Sequence, residues 1–557
     1  MKIKVLQGLN LQNSQTTVVA EMKSVKPDLI DFFKEMHPIF MKDYEILDGK
    51  TLKVKTNLPS LWKNQTFLQP VEEYSMGTID IDKAKEQMLE VASAQIYSMS
   101  TIPILQAAHK MGYETIQAFL NKGILPKNRL NRHYIIGIGK EAAQCVSAST
   151  TGDSSFSIKT QRDKIRSNQF IEGMDLPIAP WTQVESREEI PEACETVGFP
   201  LVIKPVGLTA GHGVYVGLDT VKEMEEAWDK IQEYYANMEF PKSGWQKKIL
   251  IQRKVEGQDY RVLVVNGKVE IATHRIPARV TGDGKHTIQE LIEIENKDPR
   301  RNISLPTHVM KYIVIDDDLI DIVRKNGHEL DDVPEKDEIV YVRKVASMSQ
   351  GGITADVTDK MNPQSKLICE SIAKSIHANV LGVDLLVKDI SKPLTLDNGS
   401  ILEMNTMPEI YLNAFPIIGK QYPDIGEKIL AGAMDPTIHT NRVVAVGKID
   451  RKTLEEKTQE LFDNQEKIGL MYEKTIFING YEINCGISIE SAVLSLKKNR
   501  SLDTIVLHYN SVQEIEDNGF GFNNIDVLIV TKEESEQIKN TTDKYSAEKK
   551  IRKVVIL

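Results

Sequence analysis

Residues 199–218 read FPLVIKPVGLTAGHGVYVGL, a β-branched strand that runs into Lys204 and is followed by glycines. A phosphate cradle of the P-loop kind has the reverse order. Its glycines come first and Lys with Ser or Thr opens a helix, so that backbone N–H groups meet the phosphates. With Tyr215 to Leu218 reading as a second strand, the stretch predicts a hairpin whose loop closes over a nucleotide while Lys204 stays fixed beneath it. An ordinary hairpin, its glycines supplying turn conformations only, is the competing reading of these residues alone.

The segment GVDLLVKDISKPLTLDNGSILEMNTMPEI supplies the complementary charge. Asp384 stands at one strand start, and Glu403 and Asn405 take alternate positions of a second strand, so both face the same side while Leu402 and Met404 face the other. A hard cation bridging nucleotide phosphates needs such oxygen donors on adjacent strands. A pair of solvated strand carboxylates is the bland alternative, which the apolar neighbours of Glu403 and Asn405 disfavour. Lys164 in RDKIRSNQF lies near a helix start, and Asp259 and Arg261 follow the apolar strand of ILIQRKVEGQDYR. A lysine near the α-phosphate and a carboxylate toward ribose would complete a nucleotide site, although neither residue carries that reading alone.

The elements that must position these residues form three segments. Residues 1–155 mix short strands such as MKIKVLQG with helical stretches such as IDKAKEQMLEVASAQIYSM. Residues 156–440 alternate helices with antiparallel hairpins, the pattern of an α+β domain. After the polar, Pro-containing MDPTIHTN, residues 441–557 start again with RVVAV and predict a small separate α/β unit.

The 557 residues allow three domains, with 41% hydrophobic and 27% charged residues. The net charge of −10, with both signs interspersed, argues against nucleic acid as the main partner. No run of about 18 apolar residues predicts a membrane span. Cys145, Cys194, Cys369 and Cys485 stand far apart without metal-ligand spacing and read as reduced thiols of a cytoplasmic protein.

The order DKIRSN, VIKP with its glycines, QRKVEGQDYR, GVD and LEMN resembles the ATP-grasp superfamily of carboxylate–amine ligases. Within it, RIPARVTGDGKHTIQELIEIENKDPRR, VRKVASMSQGG, VTDKMNP and DISKP resemble cyanophycin synthetase over nearly the whole chain. The resemblance implies an ATP-grasp fold over 156–440, preceded by an α/β N-terminal domain and followed by a Mur-ligase-like α/β domain. It implies ATP and Mg²⁺ as cofactors. Lys164 and Lys204 would contact phosphates, Gly211 and Gly213 would give the lid its mobility, and Gln252 to Val255 would form the hinge against adenine. Asp259 would meet ribose, Asp384, Glu403 and Asn405 would bind magnesium, and Arg343 and Arg261 would steady the transferred phosphoryl group. It also implies a homo-oligomer, a dimer or a tetramer.

The sequence departs from that family in its C-terminal part. VVAVGKIDRKT keeps Lys452 and Thr453 of a P-loop but has Lys448 and Arg451 in place of glycines, and His508 stands where the family has a glutamate. Residues 441–557 therefore read as a degenerate, inactive Mur-like unit. MGTIDID replaces a histidine-rich stretch, Pro408-Glu409-Ile410-Tyr411 replaces a PGxR pattern, and Ser347 replaces an asparagine. The expectation is a single-site ligase that forms peptide bonds through an acyl phosphate, joining β-aspartyl-arginine dipeptides or a related peptide or amino acid. A silent nucleotide- or peptide-binding scaffold and a glutathione-synthetase-like ligase are the alternatives.

Overall fold

Two antiparallel sheets and a small helical insertion build the middle of the chain, Ala148–Ala433, one of two units into which the protein folds. The computed structural model describes residues 1–36, 41–95, 100–118, 133–206, 213–236, 248–298, 300–301, 310–405, 408–462 and 467–557.

The smaller sheet of this unit has the strand order Tyr215–Leu218, Leu201–Pro205, Ile249–Arg253, Trp181–Val184. Its alternation is that of a half-buried sheet: Leu201, Ile203, Ile249, Ile251 and Val184 enter an apolar cluster with Cys194, Val197, Met224 and Trp228 of the helices Ile190–Val197 and Val221–Ala236. The larger sheet runs Ile353–Asp356, Lys268–Ile276, Gln258–Val265, Val380–Val387, Gly399–Asn405. The helix Pro363–Ile376, opened by the Asn362 cap, packs Ile368, Ile372 and Ile376 against it. The insertion joins the pair Arg279–Thr281 and Ile339–Tyr341 to the helices Ile288–Asn296 and Asp317–Lys325 over its own core. Thr287 and Glu290 form a capping box at the first of these helices, the physical content of the GDGKHTI segment.

The other unit joins both chain ends, Met1–Ser147 with Met434–Leu557. The expected division set these two parts apart as 1–155 and 441–557. The seven-stranded sheet, with Asn441–Val446 at its parallel centre, shares one core with the N-terminal part: Leu9, Ile116, Ile135 and Ile138 cluster with Val444, Leu507, Phe520 and Phe522. Neither part closes its apolar surface alone. Among the described residues no helix is long and apolar enough to cross a membrane.

Candidate active site

The larger sheet of the middle unit turns Tyr260, Val262, Val383, Leu385 and Met404 into its core. Period-2 alternation therefore puts Asp259, Arg261, Asp384, Glu403 and Asn405 together on the opposite face. Register does the rest: Asp259 pairs with Arg275, Arg261 with Asp384, and Asp384 with Glu403.

Arg261 grips Asp384 through Nε and Nη2, the second at 2.9 Å. Arg275 places Nη2 at 3.2 Å from the same carboxylate and donates through Nε to Asp259 Oδ1 at 2.7 Å. Asn405 Nδ2 donates to Asp384 Oδ2 at 3.2 Å and to Glu403 Oε1 at 3.1 Å. Burial works to raise Asp384, but the Arg261 and Arg275 charges outweigh it and hold the carboxyl below its usual value. For Asp259 burial wins over Arg275, and its carboxyl lies above the usual value.

The smaller sheet contributes the cations. Its apolar cluster takes one face, so Trp181, Lys204, Leu250 and Gln252 share the other. Lys204 Nζ donates to Gln252 Oε1 at 3.0 Å, and Gln252 Nε2 donates to the Ala179 carbonyl at 3.5 Å. Burial pushes the Lys204 ammonium down to about 8, against the pull of Glu403. Lys164 opens the helix Lys164–Gly173 beside its Asp163 cap, and its Nζ lies 3.6 Å from Glu403 Oε2. Lys164, Lys204, Arg261 and Arg275 thus meet Asp259, Asp384 and Glu403, leaving one positive charge in excess. A cluster of this balance attracts a polyanion together with its counter-cation.

The donor set fits magnesium. Asp384 and Glu403 each lie within 3.2 Å of the Asn405 amide, all three side chains carry hard oxygen donors, and the flanking arginines hold Asp384 ionised and oriented. Among the described residues no group of three or more His, Cys, Asp or Glu side chains is arranged to hold a metal.

Residues 162–278 match the family model described as "Phosphoribosylglycinamide synthetase, ATP-grasp (A) domain". Residues 162–278 of the middle unit are thus similar to an ATP-grasp domain. The chain is similar to the cyanophycin synthetase of Synechocystis sp., 36% identical over 284 residues that make up 51% of this chain and 31% of that protein. It is similar to the glutathione biosynthesis bifunctional protein of Listeria monocytogenes, 31% identical over 41% of this chain and 28% of that one. A bifunctional glutathione synthetase structure from Pasteurella multocida aligns with a TM-score of 0.47 and 22% identity, covering 63% of this chain and 46% of that chain. The chain spans about a third of the length of the curated relatives it matches.

Within the ATP-grasp domain the predicted residues divide. Lys164, Arg261, Asp384, Glu403 and Asn405 come together, and Lys204 and Gln252 meet across the smaller sheet. Val255 lies in the connection between the two sheets, Gly213 takes the positive φ of 70° its type allows, and Gly211 lies outside the described residues. Arg343 is placed elsewhere. It is buried in the helical insertion, where Nη1 donates to Asp318 and Nη2 to Asp316 and the Val314 carbonyl, each at 2.8 Å. Its fork is spent on fastening the start of the helix Asp317–Lys325. Asp259, expected toward ribose, accepts instead from Arg275.

Sequence reasoning missed Arg275 and Trp181. Arg275 becomes visible only through the register that sets it against Asp259. Trp181 packs on Ile165, Val206 and Leu250 beside Gln252, and its indole N–H has no hydrogen-bond partner.

The helix start expected as a degenerate P-loop carries a cap of its own. Asp450 caps the helix Arg451–Leu461, accepting from Thr453 N at 3.0 Å and from Thr453 Oγ1 at 2.6 Å. A carboxylate thus occupies the helix N-terminus where a phosphate would have to bind. Arg451 turns away, its guanidinium 4.4 Å from the Phe477 ring centre.

Proposed function

We infer that the protein is an ATP-dependent carboxylate–amine ligase working at one site, the ATP-grasp domain. The observation that carries this reading is the convergence of Lys164 with Glu403, Asp384 and Asn405 under the clamp of Arg261 and Arg275. Lys204 and Lys164 bind the triphosphate, and Gln252 with Val255 and Trp181 line its nucleoside end. Asp384, Glu403 and Asn405 would hold magnesium, whose charge would offset that of the phosphates. Arg261 and Arg275 keep Asp384 ionised and in place, and carry the stabilisation of the transferring phosphoryl group that the family resemblance assigned to Arg343 and Arg261. A substrate carboxylate takes the γ-phosphoryl group, and an amine displaces phosphate from the acyl phosphate to give an amide.

The similarity to cyanophycin synthetases supports β-aspartyl-arginine dipeptides or a related peptide as substrates, and a homo-oligomer as the working form. Four free cysteines suit a reducing compartment, the cytoplasm.

The test is ADP release by the purified protein with MgATP across amino acids, β-aspartyl-arginine and short peptides, with products identified by mass. ADP release that requires one acid and one amine, yields their amide and disappears in Lys204→Ala and Glu403→Ala supports the ligase. MgATP binding without turnover on any pair favours a nucleotide-binding scaffold.

A further inference from the structure

The cavity at the carboxyl ends of the strands Ile468–Tyr472 and Thr504–Tyr509 has no part in the reaction above. It measures about 270 Å³ and is lined by Met471, Glu473, Lys474, Ile489, His508, Asn510 and Glu514. In an open parallel sheet such crevices beyond the strand ends are where ligands bind.

His508 carries the argument. Its side chain is only 2% exposed, its ring stacks on Tyr472 at 4.6 Å, and its Nε2 lies 2.9 Å from the Gly447 carbonyl. That carbonyl can only accept, so Nε2 holds the proton, and the neutral ring keeps a lone pair on Nδ1. Among the described residues Nδ1 has no hydrogen-bond partner. A buried polar atom left so calls for an explanation, and a donor-bearing ligand supplies one.

The charge of the walls selects the ligand's sign. Glu473 and Glu514 outnumber Lys474, and with His508 Nδ1 they offer acceptors. Met471 and Ile489 provide apolar wall for a short aliphatic chain. Glu473 and Lys474 form the two-residue turn of the hairpin Ile468–Tyr472 and Thr475–Ile478 with φ of 47° and 63°, conformations that Asn-Gly adopts far more readily. The fold keeps a carboxylate there at the cost of backbone strain. Phosphate is excluded next door by Asp450.

We propose that this cavity binds a small organic cation, an ammonium or guanidinium group on a short aliphatic chain, through His508, Glu473 and Glu514. The site is separate from the ATP-grasp domain and stands whether or not the ligase reading does.

Isothermal titration of the full chain with butylguanidine and butylamine tests it, with n-butanol as the neutral counterpart. The variants are His508→Gln, whose amide can still donate to Gly447 while lacking the Nδ1 acceptor, and Glu473→Gln at an exposed turn. Saturable binding of the cations but not the alcohol, weakened about tenfold or more in both variants with MgATP binding unchanged, is the expected result. No saturable cation binding by the wild-type chain at millimolar concentration overturns the proposal, as does equal binding of butanol or undiminished binding in Glu473→Gln. Should His508→Gln unfold, Glu473→Gln decides alone.

Discussion

Lys204 holds its charge against burial. The folded amine ionises near 8, below the usual 10.5, because the site withdraws it from water more than Glu403 repays. Two consequences follow from the sign. Below pH 8 the amine is charged folded and unfolded, and the fold bears the whole desolvation cost. Between 8 and 10.5 only the unfolded amine is charged, so the contribution of this residue to stability rises with pH across that window. Nucleotide binding goes the other way, since MgATP needs the charged form: affinity measured by titration calorimetry should fall as pH climbs through about 8. Lys204→Met should abolish that pH dependence and weaken MgATP about 10- to 100-fold, the worth of a charge-assisted hydrogen bond, with no loss in Tm. A Tm drop of many degrees with unchanged affinity would show that Lys204 is structural. Arg343 provides the contrast. Arg343→Ala should cost about 1–3 kcal/mol in denaturant unfolding, through the lost bonds to Asp316, Asp318 and Val314, and should leave MgATP affinity within about twofold. A large loss of affinity at constant stability would return Arg343 to the phosphate site.

At the scale of elements, strand register assembles the chemistry. Asp259, Arg261 and Arg275 lie on two neighbouring strands and Asp384 and Glu403 on two more, and only their pairing brings the carboxylates and guanidinia to one spot. A register slip of one residue would send every one of these side chains into the apolar core. Helix ends act in the same local way. Asp450 stabilises the start of Arg451–Leu461, so Asp450→Ala should destabilise the C-terminal part by about 1 kcal/mol. It should not create nucleotide binding, because Lys448 and Arg451 still stand where backbone would have to approach phosphate. A second MgATP equivalent bound by Asp450→Ala would show that the cap alone had closed an otherwise intact site.

For the whole molecule, the two chain ends depend on each other. Leu9, Ile116, Ile135 and Ile138 are buried among residues of the C-terminal part. Exposing them, at about 1.5–3 kcal/mol for each side chain, amounts to most of the stability of a domain this size. A chain ending at residue 433 should therefore lose slow amide hydrogen exchange throughout 1–147, and persistence of that protection would show an independent N-terminal fold. Much of the ATP-grasp domain was legible in the sequence because its signals are local: the strand carrying Lys204, the alternation of Glu403 and Asn405, and the Asp163 cap ahead of Lys164 are fixed by residues a few positions apart. Arg275 and Arg343 were not legible. Arg275 lies in a strand and Arg343 just after one, and their roles are set by partners 16 and 109 residues away for the first and 25 to 29 for the second. The sharing of one core by Leu9 and Phe522 was equally hidden, since apolar periodicity says which face of an element is buried but not against what. The amino-acid sequence by itself determined the elements, their apolar faces and the chemical types of the site, because these depend on period and near neighbours. Only the tertiary structure decided which arginine meets Asp384 and that the two ends form one unit, because long-range pairing is a property of the packed chain.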